Sequence, residues 1–237
     1  AVAAAVVREG KIISEGVHRG PGTSHAEVVA LEKAGTSAKG AILYVTLEPC
    51  THWGKTPPCV DAIIKSGISQ VVFSVWDPNP LVRKNTSVQL LKAHGIEVIG
   101  GVMEEEGLCL NAAYFKYHAT QCPFVSLKMA MSLDGKVSLA KGKTAVITGR
   151  SARRYGHYLR RCYDAVLVGV QTVLMDNPAL DVRHGLLLPP YQNPVIFVLD
   201  SHLKTPIDAR LFKRGTQVVI LTQKSSMTLS KKKYPGH

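Results

Sequence analysis

Apolar residues recur through the first 120 positions in short runs or at alternate sites. Residues 1–7 and 12–18 form two β-rich runs around Arg8-Glu9-Gly10, a pattern that predicts a hairpin. Residues 41–47 and 70–76 read as buried strands and residues 96–99 as a short one. Between them the spacing lengthens to that of a helix. Ser24 followed by Glu27 has the form of a capping box, Val28, Val29 and Leu31 supply an apolar face, and Gly35 is a stop. Residues 58–65 predict a helix with proline in its first turn, closed by Gly67. Residues 86–93 predict another. Residues 104–119 predict a third, with three glutamates in the first turn, where they suit the helix dipole.

After Pro123 the alternation starts again, with a strand over 124–130, a helix from Ser151, and strands over 165–168, 195–199 and 217–221. Strands alternating with helices predict an α/β fold with largely parallel later strands. The restart places a domain boundary near Gln121-Cys122-Pro123, giving units 1–120 and 124–237. Neither an internal repeat nor a low-complexity tract is visible.

Composition narrows the class. The 237 residues suffice for two modest domains, and 46% hydrophobic with 19% charged residues describes a globular rather than a disordered chain. No apolar run approaches the length of a membrane span and nothing resembles a signal peptide, so no membrane partner is expected. The chain opens at Ala1, without an initiator Met and inside a strand pattern, and is expected to be a trimmed or partial protein. Five cysteines, an odd number, argue against a secreted disulfide framework and for a reducing compartment, with the cytoplasm as the default.

Charge is unevenly placed. Residues 1–120 carry 11 Lys and Arg against 11 Asp and Glu, whereas residues 121–237 carry 18 against 6. The charge step coincides with the restart of the element pattern. A basic half suits nucleic acid or small phosphorylated ligands equally. Its cations are mostly scattered singly; the run Lys231-Lys232-Lys233 reads as a solvated loop.

Candidate chemistry begins with His25, Cys50 and Cys59, a borderline-soft donor set suited to tetrahedral zinc. Three protein ligands leave a fourth position for water. His25 and Cys59 each stand at the start of a predicted helix, where thiolate is favoured. Glu27 reaches the same helix mouth and can move protons between water and a leaving amine. Singly, a His-x-Glu is usually a cap and a Pro-Cys usually a buried thiol. Together, His-x-Glu, then Pro-Cys, then Cys follow the order of zinc nucleobase deaminases, with a longer gap between the cysteines.

The strings HAEVVAL (residues 25–31), YVTLEPCTHWGKTPPC (residues 44–59) and DPNPLV (residues 77–82) resemble the deaminase domain of the RibD family of bifunctional riboflavin-biosynthesis enzymes. The resemblance runs through most of residues 1–120, and the insert Thr51–Pro58 makes it specific. It implies a cytidine-deaminase-like three-layer αβα domain, zinc on His25, Cys50 and Cys59, and Glu27 as proton shuttle. It also places His52, Lys55, Asp77 and Asn79 on a phosphoribosyl-pyrimidine substrate. His and Lys suit phosphate, while Asp and Asn suit hydroxyls or a base edge. Two departures stand out: the helix and Pro-Asn-Pro-x-Val-Gly segment that open the family pattern precede this chain's start, and its Ala-Gly-Lys-Gly run reads Arg83-Lys84-Asn85-Thr86 here.

The second half contains PFVSLKMAMSLDGKVS (residues 123–138) and GVQTVLMDNPALDVR (residues 169–183). A strand–Gly–helix junction at Gly169 is a fair anion site, but a weak signal without a Gly-x-Gly-x-x-Gly. This half resembles the family's reductase domain, which implies a dihydrofolate-reductase-like α/β fold that uses NADPH. By that resemblance Ala130, Val146, Thr172, Asp176 and Ser201 contact NADPH, and Thr144, Arg160, Leu180 and Arg183 contact substrate. The two arginines suit phosphate. Lys128 is the candidate polar group near the ribose, a lysine snorkelling from a strand end being the plain alternative. Val146 stands where many relatives carry Trp. The family's reductase domain continues past residue 237 with a Glu-Gly-Gly-type segment, so this half is expected to be incomplete at its C-terminus.

The expected function is therefore bifunctional: zinc-dependent hydrolytic deamination of 2,5-diamino-6-ribosylamino-4(3H)-pyrimidinone 5′-phosphate, then NADPH-dependent reduction of its ribosyl group to ribityl. Expected partners are that small substrate and further copies of the chain, not nucleic acid. The alternative is a nucleic-acid-editing zinc deaminase whose basic half grips RNA; with 6% aromatic residues, the interleaving of aromatics and cations this requires is thin. A zinc-stabilised binding module would leave Glu27 unexplained.

Overall fold

The computed structural model describes residues 2–80, 87–138, 140, 146–186, 192–213 and 215–226. The chain divides into two compact units, Ala1–Ser126 and Leu127–His237. Among the described residues no helix is long and apolar enough to cross a membrane.

The first unit is built on a five-stranded sheet ordered β2-β1-β3-β4-β5. Strands β1 (Ala3–Arg8) and β2 (Lys11–Val17) form the expected hairpin. Glu9 and Gly10 turn it with φ of 51° and 73°, the pair of positive values that matches strand twist in a two-residue turn. Strand β3 (Ile42–Leu47) lies antiparallel to β1, and β4 (Gln70–Val75) and β5 (Glu97–Gly100) follow in parallel. The period of two decides which side each residue packs on. Val6, Leu43, Val45, Val71 and Phe73 point to one face, where they bury against Ala26, Ala30, Val60, Ile63 and Leu91. Those partners belong to α1 (Ala26–Ala34), α2 (Cys59–Ser66) and α3 (Ser87–Ala93). On the opposite face α4 (Glu104–Leu110) comes so close that a Cβ on Gly107 would collide with Ser74 and Val75. The result is three layers.

Two local expectations are corrected. Ser24 does not cap α1: His25 occupies the N-cap position without a side-chain capping bond, and Glu27 is turned inward, 4% exposed. The long helix over 104–119 is broken at Asn111 into α4 and α5 (Ala112–Thr120). Asn111 is buried, with φ −116° and ψ 26°, outside the helical well.

The second unit holds a parallel sheet, β6 (Ala165–Gly169), β7 (Val195–Leu199) and β8 (Val218–Leu221), in that order. Helix α6 (Arg150–Arg161) precedes β6 and α7 (Val170–Asp176) follows it directly. Val173, Leu180, Ile196, Val198, Ala209 and Leu211 form the core. The strand expected over 124–130 is not present; this segment carries no ladder, and Val125 and Leu127 are 75% and 85% exposed. Its apolar, β-favouring residues express a preference, but a strand exists only where a partner completes its hydrogen bonds.

Candidate active site

Strand β3 ends at Leu47 and delivers Glu48-Pro49-Cys50 to the rim of the sheet. Helix α1 begins there with His25 at its cap, and α2 begins with Cys59, Pro58 standing before it. Pro58 is the N-cap, with φ −57° and ψ 138°, one residue before the first turn in which it was expected, and its missing N–H has no helical partner to lose.

Three donor atoms converge. His25 Nδ1 lies 2.9 Å from Cys59 Sγ and 3.4 Å from Cys50 Sγ, and the two sulfurs are 3.5 Å apart. A zinc ion bound tetrahedrally would space its donors by about 3.6 Å for nitrogen to sulfur and about 3.8 Å between sulfurs. The triangle is thus slightly tighter than the loaded one, and the residues fit the ion. Cys50 Sγ accepts the Cys59 N–H at 3.3 Å. Hydrogen bonds from the Cys59 thiol and from His25 outweigh burial and draw the Cys50 thiol down to about 4. Its bond to Cys50, burial and the Glu27 charge drive the Cys59 thiol upward. The pair holds a thiolate beside a thiol, and a cation between them would relieve the cost of the second ionisation. The bond with Cys50 also raises His25, against burial.

Residues that sequence reasoning passed over complete the surroundings. Thr56 Oγ1 lies 3.1 Å from His25 Nε2, the ring nitrogen turned away from the sulfurs. With Nδ1 facing the sulfurs, the proton belongs on Nε2 and is donated to Thr56, which fixes the tautomer a metal needs. The His18 ring packs edge-on against His25 at 5.2 Å.

Beside the triangle opens a cavity of about 600 Å³, lined by His25, Glu27, Cys50, His52, Asp77 and Asn79 among others. Burial pushes the Glu27 carboxyl up to about 7, against the pull of its own backbone hydrogen bond. Glu27 Oε2 is buried with no hydrogen-bond partner among the described residues, as is His52 Nδ1. Lys55, on the same loop as His52, is exposed and does not line the cavity. Seven of the eight expected first-unit residues therefore sit at the triangle or the cavity beside it, Lys55 being the exception.

In the second unit Arg160 and Arg183 are brought together. Arg160 Nη1 donates to the Asp181 carbonyl at 2.7 Å, and Arg183 Nε pairs with Asp181 Oδ1 at 3.1 Å. Buried His157 holds both: its Nδ1 accepts the Arg183 N–H at 3.2 Å and lies 3.3 Å from Arg160 Nη1. Leu180 is buried beside them with φ 53°. Thr172 and Asp176 are exposed on α7, and Ser201 follows β7 in a turn, so both groups lie beyond the carboxyl ends of parallel strands. Lys128, Ala130 and Val146 lie on irregular segments, Lys128 and Val146 exposed. Thr144 lies outside the described residues, as do residues 83–86 and 231–233.

The layered sheet with a His/Cys/Cys triangle at its rim defines a zinc-deaminase fold, and a parallel α/β unit follows it. Residues 1–75 match the family model described as cytidine and deoxycytidylate deaminase zinc-binding region, and residues 123–234 match RibD C-terminal domain. The riboflavin biosynthesis protein RibD of Aquifex aeolicus is 46% identical over 236 residues, 99% of this chain and 65% of that protein. RibD of Escherichia coli is 42% identical over 95% of this chain and 64% of that protein. Among solved structures, the diaminohydroxyphosphoribosylaminopyrimidine deaminase/5-amino-6-(5-phosphoribosylamino)uracil reductase of Thermotoga maritima matches with a TM-score of 0.85 and 44% identity, covering 93% of this chain and 62% of that one. RibD of Acinetobacter baumannii, form 1, matches at 0.84 and 37%, covering 98% and 70%. The chain belongs to the RibD family. It spans less than two thirds of the length of the Aquifex and Thermotoga proteins.

Proposed function

We propose that the chain carries out the two reactions expected above: hydrolytic deamination of the diaminopyrimidine ribosyl phosphate in the first unit and reduction of its ribosyl group in the second. The observation that carries the first assignment is the buried Glu27 carboxyl, whose Oε2 has no partner among the described residues and shares a cavity with the His/Cys/Cys triangle. Zinc held by His25, Cys50 and Cys59 supplies the Lewis acidity that makes water nucleophilic near neutral pH. As a water oxygen joins the ring carbon bearing the amino group and that carbon's double bond to a ring nitrogen opens, Glu27 takes a proton from the water and passes it to that nitrogen. It then carries the remaining hydroxyl proton to the amino nitrogen, and ammonia departs as the carbonyl forms. Asp77 and Asn79 read the ring or ribose, and His52 and Lys55 serve the phosphate end.

In the second unit NADPH supplies the hydride for the ribose C1′. Arg160 and Arg183 hold the substrate's anionic end with Thr144 and Leu180, while Ala130, Val146, Thr172, Asp176 and Ser201 face the cofactor. Lys128 supplies a polar group near the ribose. The charge step is then accounted for by phosphates rather than by nucleic acid. None of the five cysteines is in a disulfide, which suits a reducing cytoplasm, and we expect copies of the chain to associate.

The test is an assay with the phosphorylated diaminopyrimidine that scores ammonia release and NADPH loss separately. Glu27→Gln is expected to retain stoichiometric zinc and release no ammonia, with NADPH oxidation of independently deaminated substrate unchanged. Ammonia release by that variant at the wild-type rate would overturn the assignment of Glu27.

A further inference from the structure

Asp77 is 5% exposed at the end of β4, and its position is fixed from two sides. Its Oδ1 accepts the Tyr114 hydroxyl at 2.8 Å and the Asn79 N–H at 2.9 Å. Its own N–H donates to Glu48 Oε2 at 3.2 Å, while Glu48 Oε1 accepts the Ser87 hydroxyl at 2.8 Å. Both Glu48 oxygens are therefore committed within the protein, although the residue borders the cavity. Among the described residues no donor reaches Asp77 Oδ2, which is the acceptor left for a ligand in the cavity. Burial and the neighbouring Asp77 raise the Tyr114 phenol, so it stays a donor. Its ring is braced one helical turn on by His118, at a centroid distance of 4.5 Å.

We infer that Tyr114 and Glu48 are positioning residues for Asp77: they act on the substrate only by aiming one carboxylate oxygen at the N–H edge of an aminopyrimidine ring. The inference rests on the reading of the cavity as an aminopyrimidine site. Glu48 immediately precedes Pro49-Cys50, so the same clamp that holds the Asp77 backbone also sets it against a candidate zinc ligand. A buried carboxylate that both accepts a phenol and meets ring N–H donors gains its selectivity from fixed direction, because a ligand lacking the donors leaves a charge unpaired.

The experiment measures binding of 2-amino-4(3H)-pyrimidinone to the zinc-loaded full chain by calorimetry, alongside KM and kcat for ammonia release and zinc content. Tyr114→Phe is expected to weaken binding and raise KM about tenfold, the scale of one hydrogen bond to a charged group, with kcat and zinc unchanged. In an Asp77→Asn background the same change is expected to cost nothing further. Glu48→Gln is expected to behave like the wild type, since its amide oxygen can accept the Asp77 N–H and its NH2 can donate to Ser87. Glu48→Ala is expected to lose at least as much as Tyr114→Phe. An equal loss from Tyr114→Phe in both backgrounds, loss of zinc along with binding, or no binding of the pyrimidinone to the wild type would each overturn the inference. If the pyrimidinone binds with the expected couplings while the wild type releases no ammonia, the positioning stands and the deaminase reading falls.

Discussion

His25 and Cys59, 34 positions apart in sequence, bring Nδ1 and Sγ to 2.9 Å. That is closer than the about 3.6 Å edge set by a shared tetrahedral zinc. An ion entering the triangle would open the contact slightly, so metal affinity and the stability of the first unit are linked. A ligand at a thousandfold excess over its Kd stabilises by about 4 kcal/mol. Chelation is therefore expected to lower the thermal midpoint of the first unit, read from the fluorescence of Trp76, whose ring packs on Phe73 at 4.7 Å. Added zinc should restore it. Cys59→Ser should respond to neither treatment; stoichiometric zinc in that variant would remove the triangle from the account.

Thr56 offers a finer test. Its hydroxyl receives the His25 Nε2 proton at 3.1 Å, and the loss of such outer partners costs about 10–100-fold in metal affinity. Thr56→Val is expected to fall in that range by competition with a chromophoric chelator, and Thr56→Ser to stay near the wild type. Equal affinity of the valine variant would show that the ring is oriented without Thr56.

The difference between Cys59 and Thr56 explains how far sequence carries. Cys59, Cys50, His25 and Glu27 are chemically conspicuous, and their order along the chain makes their convergence readable. Thr56, Glu48 and Tyr114 are not: Tyr114 reads as one more residue of a long helix, and only the break at Asn111 and the packing of α5 set it against Asp77. The pair Ser24 and Glu27 has the form of a capping box, yet Glu27 turns into the cavity because the chemistry of the site, not the helix end, claims its carboxyl. Residues 124–130 carry the alternation of a strand, but alternation encodes a face and not a partner. Parallel strands such as β6 and β7 were readable because continuous apolar runs bounded by Gly169 and Asp200 leave little else.

Gly16 ties the hairpin to the site. It pairs with Ala4 in the sheet, and a Cβ there would run into the Ala26 carbonyl and, at 2.6 Å, the Ala30 backbone nitrogen. Both belong to α1, which carries His25 at its cap. Backbone cannot swing aside as a side chain does, so Gly16→Ala should push the helix off the sheet. Overpacking of this kind costs about 1–3 kcal/mol, and the displacement should also weaken zinc binding. Denaturant unfolding followed by Trp76 fluorescence, with metal content, checks both. An unchanged midpoint would show that α1 has room to move.

Asp200 makes a prediction for the second unit as a function of pH. It is 1% exposed at the end of β7. Its Oδ2 accepts the Thr205 hydroxyl and N–H, both at 2.7 Å, and its Oδ1 accepts the Lys204 N–H at 2.9 Å. Burial alone would raise this carboxyl, but the bonds from Thr205, Lys204 and the His202 backbone outweigh it and hold the carboxyl below its ordinary 3.8. A depressed acid favours the folded state wherever the unfolded chain would be ionised, so its contribution is complete above that ordinary value. It is lost as pH falls through the lower folded value. Asp200→Asn, which mimics the protonated acid, should therefore destabilise the β7 region at pH 7 by about 1–3 kcal/mol, the scale of hydrogen bonds to a charged group. The gap to the wild type should narrow as pH falls below 3.8 and close once pH is below the lower folded value. Amide hydrogen exchange along β7 reads this region directly. A gap of the same size at pH 7 and below that folded value would mean that the shape of the side chain, and not its charge, holds the turn that presents Ser201.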